Sequence, residues 1–98
     1  MIIHQRGIGY RENYSEVFEA LVEAKAHVEK KYPEISVELM YNLAGQRGCA
    51  TIQTRYASLA EYERIDAELD NDEEFSKLLQ SILSATGDLP VDQFYRVI

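Results

Sequence analysis

An α+β fold, with a four-stranded antiparallel sheet and both helices on one face, is predicted for this 98-residue chain by three observations. Two central stretches alternate apolar and polar residues, and a glycine-bounded turn joins them. Capped helical periodicities stand before and after that pair. Short strand-like segments open and close the chain. One compact domain spanning residues 1–98 suits this length.

Residues 2–10 read as the first strand, Ile-rich and ended by a polar cluster, with Gly7 and Gly9 weakening it slightly. Asn13 and Glu16 have the spacing of a capping box, in which each side chain satisfies a free N–H at a helix start. Val17, Leu21, Ala24 and Val28 then recur at helical spacing. Lys30 and Lys31 suit the negative end of the helix dipole, and Pro33 stops the helix.

Residues 35–44 place Ile35, Val37, Leu39, Tyr41 and Leu43 on one face and Ser36, Glu38, Met40 and Asn42 on the other, the pattern of a half-buried strand. Residues 49–57 set Ala50, Ile52, Thr54 and Tyr56 against Cys49, Thr51, Gln53 and Arg55. Gly45-Gln46-Arg47-Gly48 is short enough for a hairpin, with glycines where positive φ is needed. Ser58/Glu61 and Asn71/Glu74 are two further capping boxes, which predict two helical pieces with a break at Asn71. Leu59, Tyr62, Ile65 and Leu69 line the first piece; Phe75, Leu78, Leu79, Ile82 and Leu83 form a wide apolar stripe on the second. Thr86-Gly87 ends it, and residues 92–98 form the last strand. The order β-α-β-β-α-β is the ferredoxin-like arrangement.

The net charge of -7 repels phosphate backbones and anionic lipid, so neither a nucleic-acid partner nor a membrane partner is expected. Cys49 is the one cysteine, which excludes an intrachain disulfide framework. The start MIIHQRGIGY lacks a basic segment followed by a long apolar run, so no signal peptide is expected. A cytoplasmic protein is the expectation.

Two helices cover one face of such a sheet and should take Val37, Leu39, Tyr41, Ile52 and Tyr56. A turn centred between Gln46 and Arg47 puts Glu38 opposite Arg55, Met40 opposite Gln53 and Asn42 opposite Thr51, an opposite-charge pair being favoured across strands. Burying His4 and Arg6 without partners is costly, and small Gly7 and Gly9 would admit a helix. The expectation therefore places His4, Arg6 and Ile8 on the open face with Glu38, Met40, Gln53 and Arg55. The last strand offers Tyr95 on one side and Phe94 on the other, and the choice stays open. An open face of this mixed character, without lysine, suits a surface partly shielded from water.

The segment SLAEYERIDAELDNDEEFSKLLQSI (residues 58–82) and the opening HQRGIGY, together with length and topology, resemble the dimeric α/β-barrel superfamily, and within it NIPSNAP-like and antibiotic-biosynthesis-monooxygenase-like domains. The resemblance covers nearly the whole chain as a pattern and carries no catalytic signature. It implies a homodimer in which two open sheets face each other and close a barrel, with a small molecule in the lumen of the active members. Haem-degrading relatives hold haem near a tryptophan; this chain has none, which argues against that activity. Cofactor-free oxygenase relatives use Asn, Tyr, Trp or His, for which Asn42 and Tyr95 are the available stand-ins.

Each candidate has a plainer reading. Glu38 and Arg55 can position a ligand, or form a cross-strand ion pair worth little when exposed. His4 has the intrinsic pKa of a general acid or base, or is a hydrogen-bonded structural histidine. His27, among Glu23 and Lys31, reads as a solvated helix residue. His4, His27 and Cys49 have no metal-ligand spacing, so no metal site is expected, and no cofactor. Cys49 beside a turn is reactive only if its pKa is lowered. Gly7-Ile8-Gly9 lacks the rest of a phosphate loop, and the acidic run 66–74 reads as a solvated helix face. Two functions remain. One is a lumen site for a small molecule, binding only or catalytic (oxygenase, isomerase or cyclase), lined by His4, Arg6, Glu38, Met40, Gln53, Arg55 and Tyr95. The excess of Arg6 and Arg55 over Glu38 points to an anionic or carbonyl-bearing apolar ligand. The other is a non-catalytic homodimeric structural or accessory domain.

Overall fold

The computed structural model of the chain describes residues 1–9, 14–43, 48–86 and 90–98. Its elements run β1 (Ile2–Gly9), α1 (Tyr14–Lys31), β2 (Ser36–Tyr41), β3 (Cys49–Tyr56), α2 (Leu59–Asp70), α3 (Glu73–Thr86) and β4 (Val91–Arg96). The strands form one antiparallel sheet in the order β2-β3-β1-β4, with the helices packed on one face. This is the ferredoxin-like α+β fold, its second helical segment divided in two.

Local chemistry explains most boundaries. Asn13 of the Asn13/Glu16 box and the Gly87 stop lie outside the described residues. At α2, Ser58 Oγ accepts from the Glu61 N–H at 3.2 Å, as a capping box requires. The reciprocal bond is displaced by one residue: Glu61 Oε1 accepts from the Ala57 N–H at 2.9 Å. The third box is corrected. Asp72 caps α3, accepting from the Phe75 N–H at 3.0 Å, while Asn71 closes α2 through Nδ2 donating to the Ala67 carbonyl at 3.1 Å. A carboxylate at the cap adds a favourable interaction with the helix dipole that Asn71 cannot.

The hairpin register is corrected by two residues. Glu38 stands opposite Gln53, Leu39 opposite Ile52 and Tyr41 opposite Ala50. A slip of two preserves which side chains share a face, so alternation alone did not distinguish the registers. The observed one sets Leu39 beside Ile52, and these two pack against both halves of the core. Before β3, Gly48 takes φ 77°, a conformation glycine adopts without strain. Gly45 lies outside the described residues.

The core has two clusters. Ile2, Val28, Tyr32, Ile35, Val37, Tyr56, Ile65 and Leu69 form one. Ile8, Val17, Ala20, Leu21, Ala50 and Ile82 form the other. Val17, Leu21 and Val28 of the α1 stripe are thus buried, Val17 completely, and Ala24 is half-buried. Tyr41, expected under the helices, is 61% exposed at the end of the edge strand β2, where its ring meets Phe18 of α1 edge-on at 6.3 Å.

The face of β1 is the main correction. Ile2, His4 and Ile8 are buried with the core, and Arg6 shares their side, so His4, Arg6 and Ile8 face the helices. Gln5 faces the open side, where its Nε2 donates to Gln53 Oε1 at 2.6 Å. The premise that His4 and Arg6 would be buried without partners failed. Asp92 of β4, paired with Arg6 in the sheet register, supplies the carboxylate for both.

Candidate functional site

Between the sheet and the helices lies a cavity of about 350 Å³. Its size falls in the range of small-molecule pockets, about 300–1,000 Å³. Most of its wall is apolar: Ile8, Leu21, Val28, Leu39, Ile52, Leu79 and Ile82 among others. Leu39 and Ile52, the residues shared by the two core clusters, are part of it, so the space lies where the halves of the core meet. The polar wall consists of His4 and Arg6 on β1, Thr54 on β3, and Tyr62 and Asp66 on α2, with Lys25 and Asp70 also contributing.

Sheet pairing brings these groups together. Thr54 and Phe94 flank His4 on either side, and Asp92 lies across from Arg6. His4 Nε2 is 3.0 Å from Asp92 Oδ1. Arg6 donates through Nε to the same oxygen at 2.7 Å and through Nη2 to Oδ2 at 3.2 Å, a bidentate clamp. Asp92 is not itself on the cavity wall; it stands behind the two side chains that are. The Arg6 hydrogen bonds, followed by that of His4, hold its carboxyl below the ordinary carboxylate range despite some desolvation. An ionised carboxylate only accepts, so the His4 nitrogen facing it carries the proton.

Aromatic rings fix the imidazole. Phe94 stacks on His4 with centroids 4.6 Å apart, and Tyr62 meets it edge-on at 5.6 Å. Tyr62 also meets Tyr56 at 5.3 Å and Phe94 at 5.0 Å. Burial pushes the Tyr56 hydroxyl up to about 12, and burial followed by the charge of Asp66 raises that of Tyr62. Both rings present neutral O–H groups at ordinary pH.

The seven residues expected in one site divide between the two sides of the sheet. His4 and Arg6 line the cavity. Glu38, Met40, Gln53, Arg55 and Tyr95 are on the open face, as are Ile3 and Gln5. There Gln53 Nε2 donates to Glu38 Oε1 at 3.3 Å, and Arg55 Nε donates to the same oxygen at 3.4 Å from a diagonal position. Tyr95 donates to Gln93 Oε1 at 2.9 Å. This face is a row of hydrogen-bonded polar groups with Ile3 among them and Met40 and Tyr95 on the two edge strands, the last two 37% and 46% exposed. His27, expected in solvent, is instead only 17% exposed at its side chain and bound to Asp72 at 2.7 Å.

Asp92 was not singled out from sequence, and Tyr62, Thr54 and Asp66 were read there only as helix-face or strand-face residues. Tyr62 and Asp66 are four apart and so share a helix face. Asp92 is the one acidic residue of β4, and the β1–β4 pairing of this topology brings it to β1.

No family model matches the chain, and no curated protein matches it. Solved structures do match. A NIPSNAP domain protein from Burkholderia xenovorans superposes with a TM-score of 0.84 at 10% identity, over 100% of this chain and 95% of that one. A putative antibiotic biosynthesis monooxygenase from Caulobacter crescentus gives 0.83 at 13% identity, over 99% and 89%. SnoaB, a cofactor-independent oxygenase from Streptomyces nogalater, gives 0.76 at 7% identity, over 98% and 91%. At such identities the shared property is the fold, and it is the fold of the group that the sequence resembles.

Proposed function

We propose that this chain is a small-molecule-binding domain that works as a homodimer, with the cavity between sheet and helices, in place of the expected lumen between two open sheet faces, as its ligand site. The observation that carries the reading is that cavity: mostly apolar, with His4, Arg6, Thr54, Tyr62 and Asp66 converging on it. A concave apolar site with a few convergent polar groups is the usual form of a ligand pocket. The oxygenase and monooxygenase descriptions among its fold neighbours support a finer reading: a cofactor-free oxygenase, isomerase or cyclase acting on a carbonyl-bearing or anionic apolar compound. Of the two arginines expected to orient such a compound, Arg6 has that role in this reading. Arg55 is on the opposite side of the sheet and engaged by Glu38.

The homodimer is assigned to the open face. Its polar groups already satisfy one another, which lowers the penalty of covering them, and a domain this small gains from covering Ile3, Met40 and Tyr95. Localisation in the cytoplasm is consistent with a single free Cys49. Among the described residues no helix is long and apolar enough to cross a membrane.

Native mass spectrometry of the purified protein tests both parts. The expected result is a dimer carrying a small molecule, and Leu79→Trp, which fills the cavity from α3, should lose the small molecule and keep the dimer. A monomer at micromolar concentration overturns the open-face assignment. Undiminished ligand in Leu79→Trp overturns the cavity as its site.

A further inference from the structure

The geometry points to His4 as the proton-transfer residue of this cavity, positioned by Asp92, with Arg6 as the cation that receives the resulting anion. This rests on the reading of the cavity as a ligand site and adds a chemical role to it.

Three observations support the assignment. First, His4 and Arg6 are both on the cavity wall, and Asp92 is behind them. Second, Asp92 can only accept, so it fixes the proton of neutral His4 on Nε2 and leaves Nδ1 with its lone pair. Third, Phe94 and Tyr62 hold the ring by stacking and edge contact, which restricts its rotation away from the carboxylate.

Arg6 has donors to spare. Its guanidinium presents five N–H groups, and Asp92 accepts from two of them, that of Nε and one on Nη2. The remaining donors belong to a permanent cation on the cavity wall. The other charged groups around the site are Asp66 on α2 and Lys25 and Asp70; Lys25 is engaged by Glu29 at 2.6 Å. Arg6 is paired with Asp92 as Lys25 is with Glu29, but it keeps N–H donors that Asp92 does not take, and it is these that an anion in the cavity would meet.

The chemistry that fits is a weak acid with an apolar body: a phenol, or a carbonyl compound with an acidic C–H next to it. His4 Nδ1 takes the proton. The O–H or C–H bond breaks, and its electron pair remains on the molecule as a phenolate or enolate beside Arg6. The imidazolium so formed keeps its Nε2–H on Asp92, and the reverse transfer restores both partners. No oxidant, metal or cofactor enters this step.

The test uses 4-nitrophenol, which is coloured only as its phenolate, with calorimetry to measure binding separately. Bound to the unaltered protein, the phenolate band should appear about one pH unit lower than for the free phenol, a tenfold change in its ionisation. His4→Asn should bind the phenol and abolish that shift. Asp92→Asn, which keeps the histidine and its packing, should reduce it. Nitrogen NMR of labelled His4 gives a readout that a packing role would not move: neutral His4 should be protonated at Nε2 in the unaltered protein and redistribute towards Nδ1 in Asp92→Asn. Binding with no shift in the unaltered protein overturns the proton-transfer role and leaves the cavity reading standing. So does an equal shift in His4→Asn. Absence of binding by calorimetry overturns both.

Discussion

Two aspartates in this protein have nearly the same side-chain company and opposite surroundings. Asp92 takes His4 at 3.0 Å and Arg6 at 2.7 Å. Asp72 takes His27 at 2.7 Å and Lys31 at 3.0 Å. The difference is the backbone. Asp72 also accepts from the Phe75 N–H at the start of α3, and its side chain is 8% exposed. Its hydrogen bonds tie α1 to the α2–α3 junction, and neither it nor His27 is on the cavity wall. Asp92 is on an edge strand, its side chain 39% exposed, and the side chains it holds line the cavity. A histidine–aspartate pair is therefore no indication of function by itself. What distinguishes the two is whether the carboxylate is committed to a helix end and whether the imidazole borders an open space.

The largest effect should come from breaking the structural member. Asp72→Ala removes a helix cap and leaves His27 and Lys31 without their shared carboxylate, and a Tm fall of roughly 4–8 °C by thermal circular dichroism is expected. The sign of its pH dependence follows from the same contacts. The His27 hydrogen bond first, then those from Phe75 and Lys31, hold the Asp72 carboxyl well below the usual carboxylate range. A depressed folded-state value means that its contribution is fully present above the unfolded value of about 3.9 and is lost as pH falls through the lower folded value. Acid unfolding followed from pH 5 downward should thus be weaker in Asp72→Ala, and an unchanged acid limb would make the two aspartates energetically alike.

Asp92→Asn should have a smaller effect on stability. The Arg6 and Asp92 side chains are 31% and 39% exposed, so screening limits the pair to at most about 1 kcal/mol in urea unfolding. A loss as large as that of Asp72→Ala would show Asp92 to be a structural lock as well. The smallest effect belongs to the open-face pair. Glu38 and Arg55 are 49% and 43% exposed and 3.4 Å apart, and Glu38→Gln should change unfolding free energy by less than about 0.5 kcal/mol. A larger loss in the proposed dimer than in a diluted monomer would place that pair within the interface.

The sequence by itself determined the elements, because their causes are local. The Ser58 cap, the Val17–Leu21–Ala24–Val28 stripe and the alternation of β2 and β3 each act within a few residues, and the order they impose admits few folds. It also determined which side chains of the hairpin share a face, since a two-residue slip leaves faces unchanged. Tertiary structure decided the rest. The hairpin register depended on Leu39 and Ile52 joining two core clusters that no local pattern reveals. The Asp72 cap combines a local preference for a carboxylate at a helix start with contacts from His27 and Lys31 of another helix, which the local pattern does not contain. The face of β1 depended on a carboxylate 88 residues away from His4 in the chain. A buried histidine and arginine are costly only while their partner is unknown, and pairing across a sheet between the two ends of the chain is information that neither end contains alone.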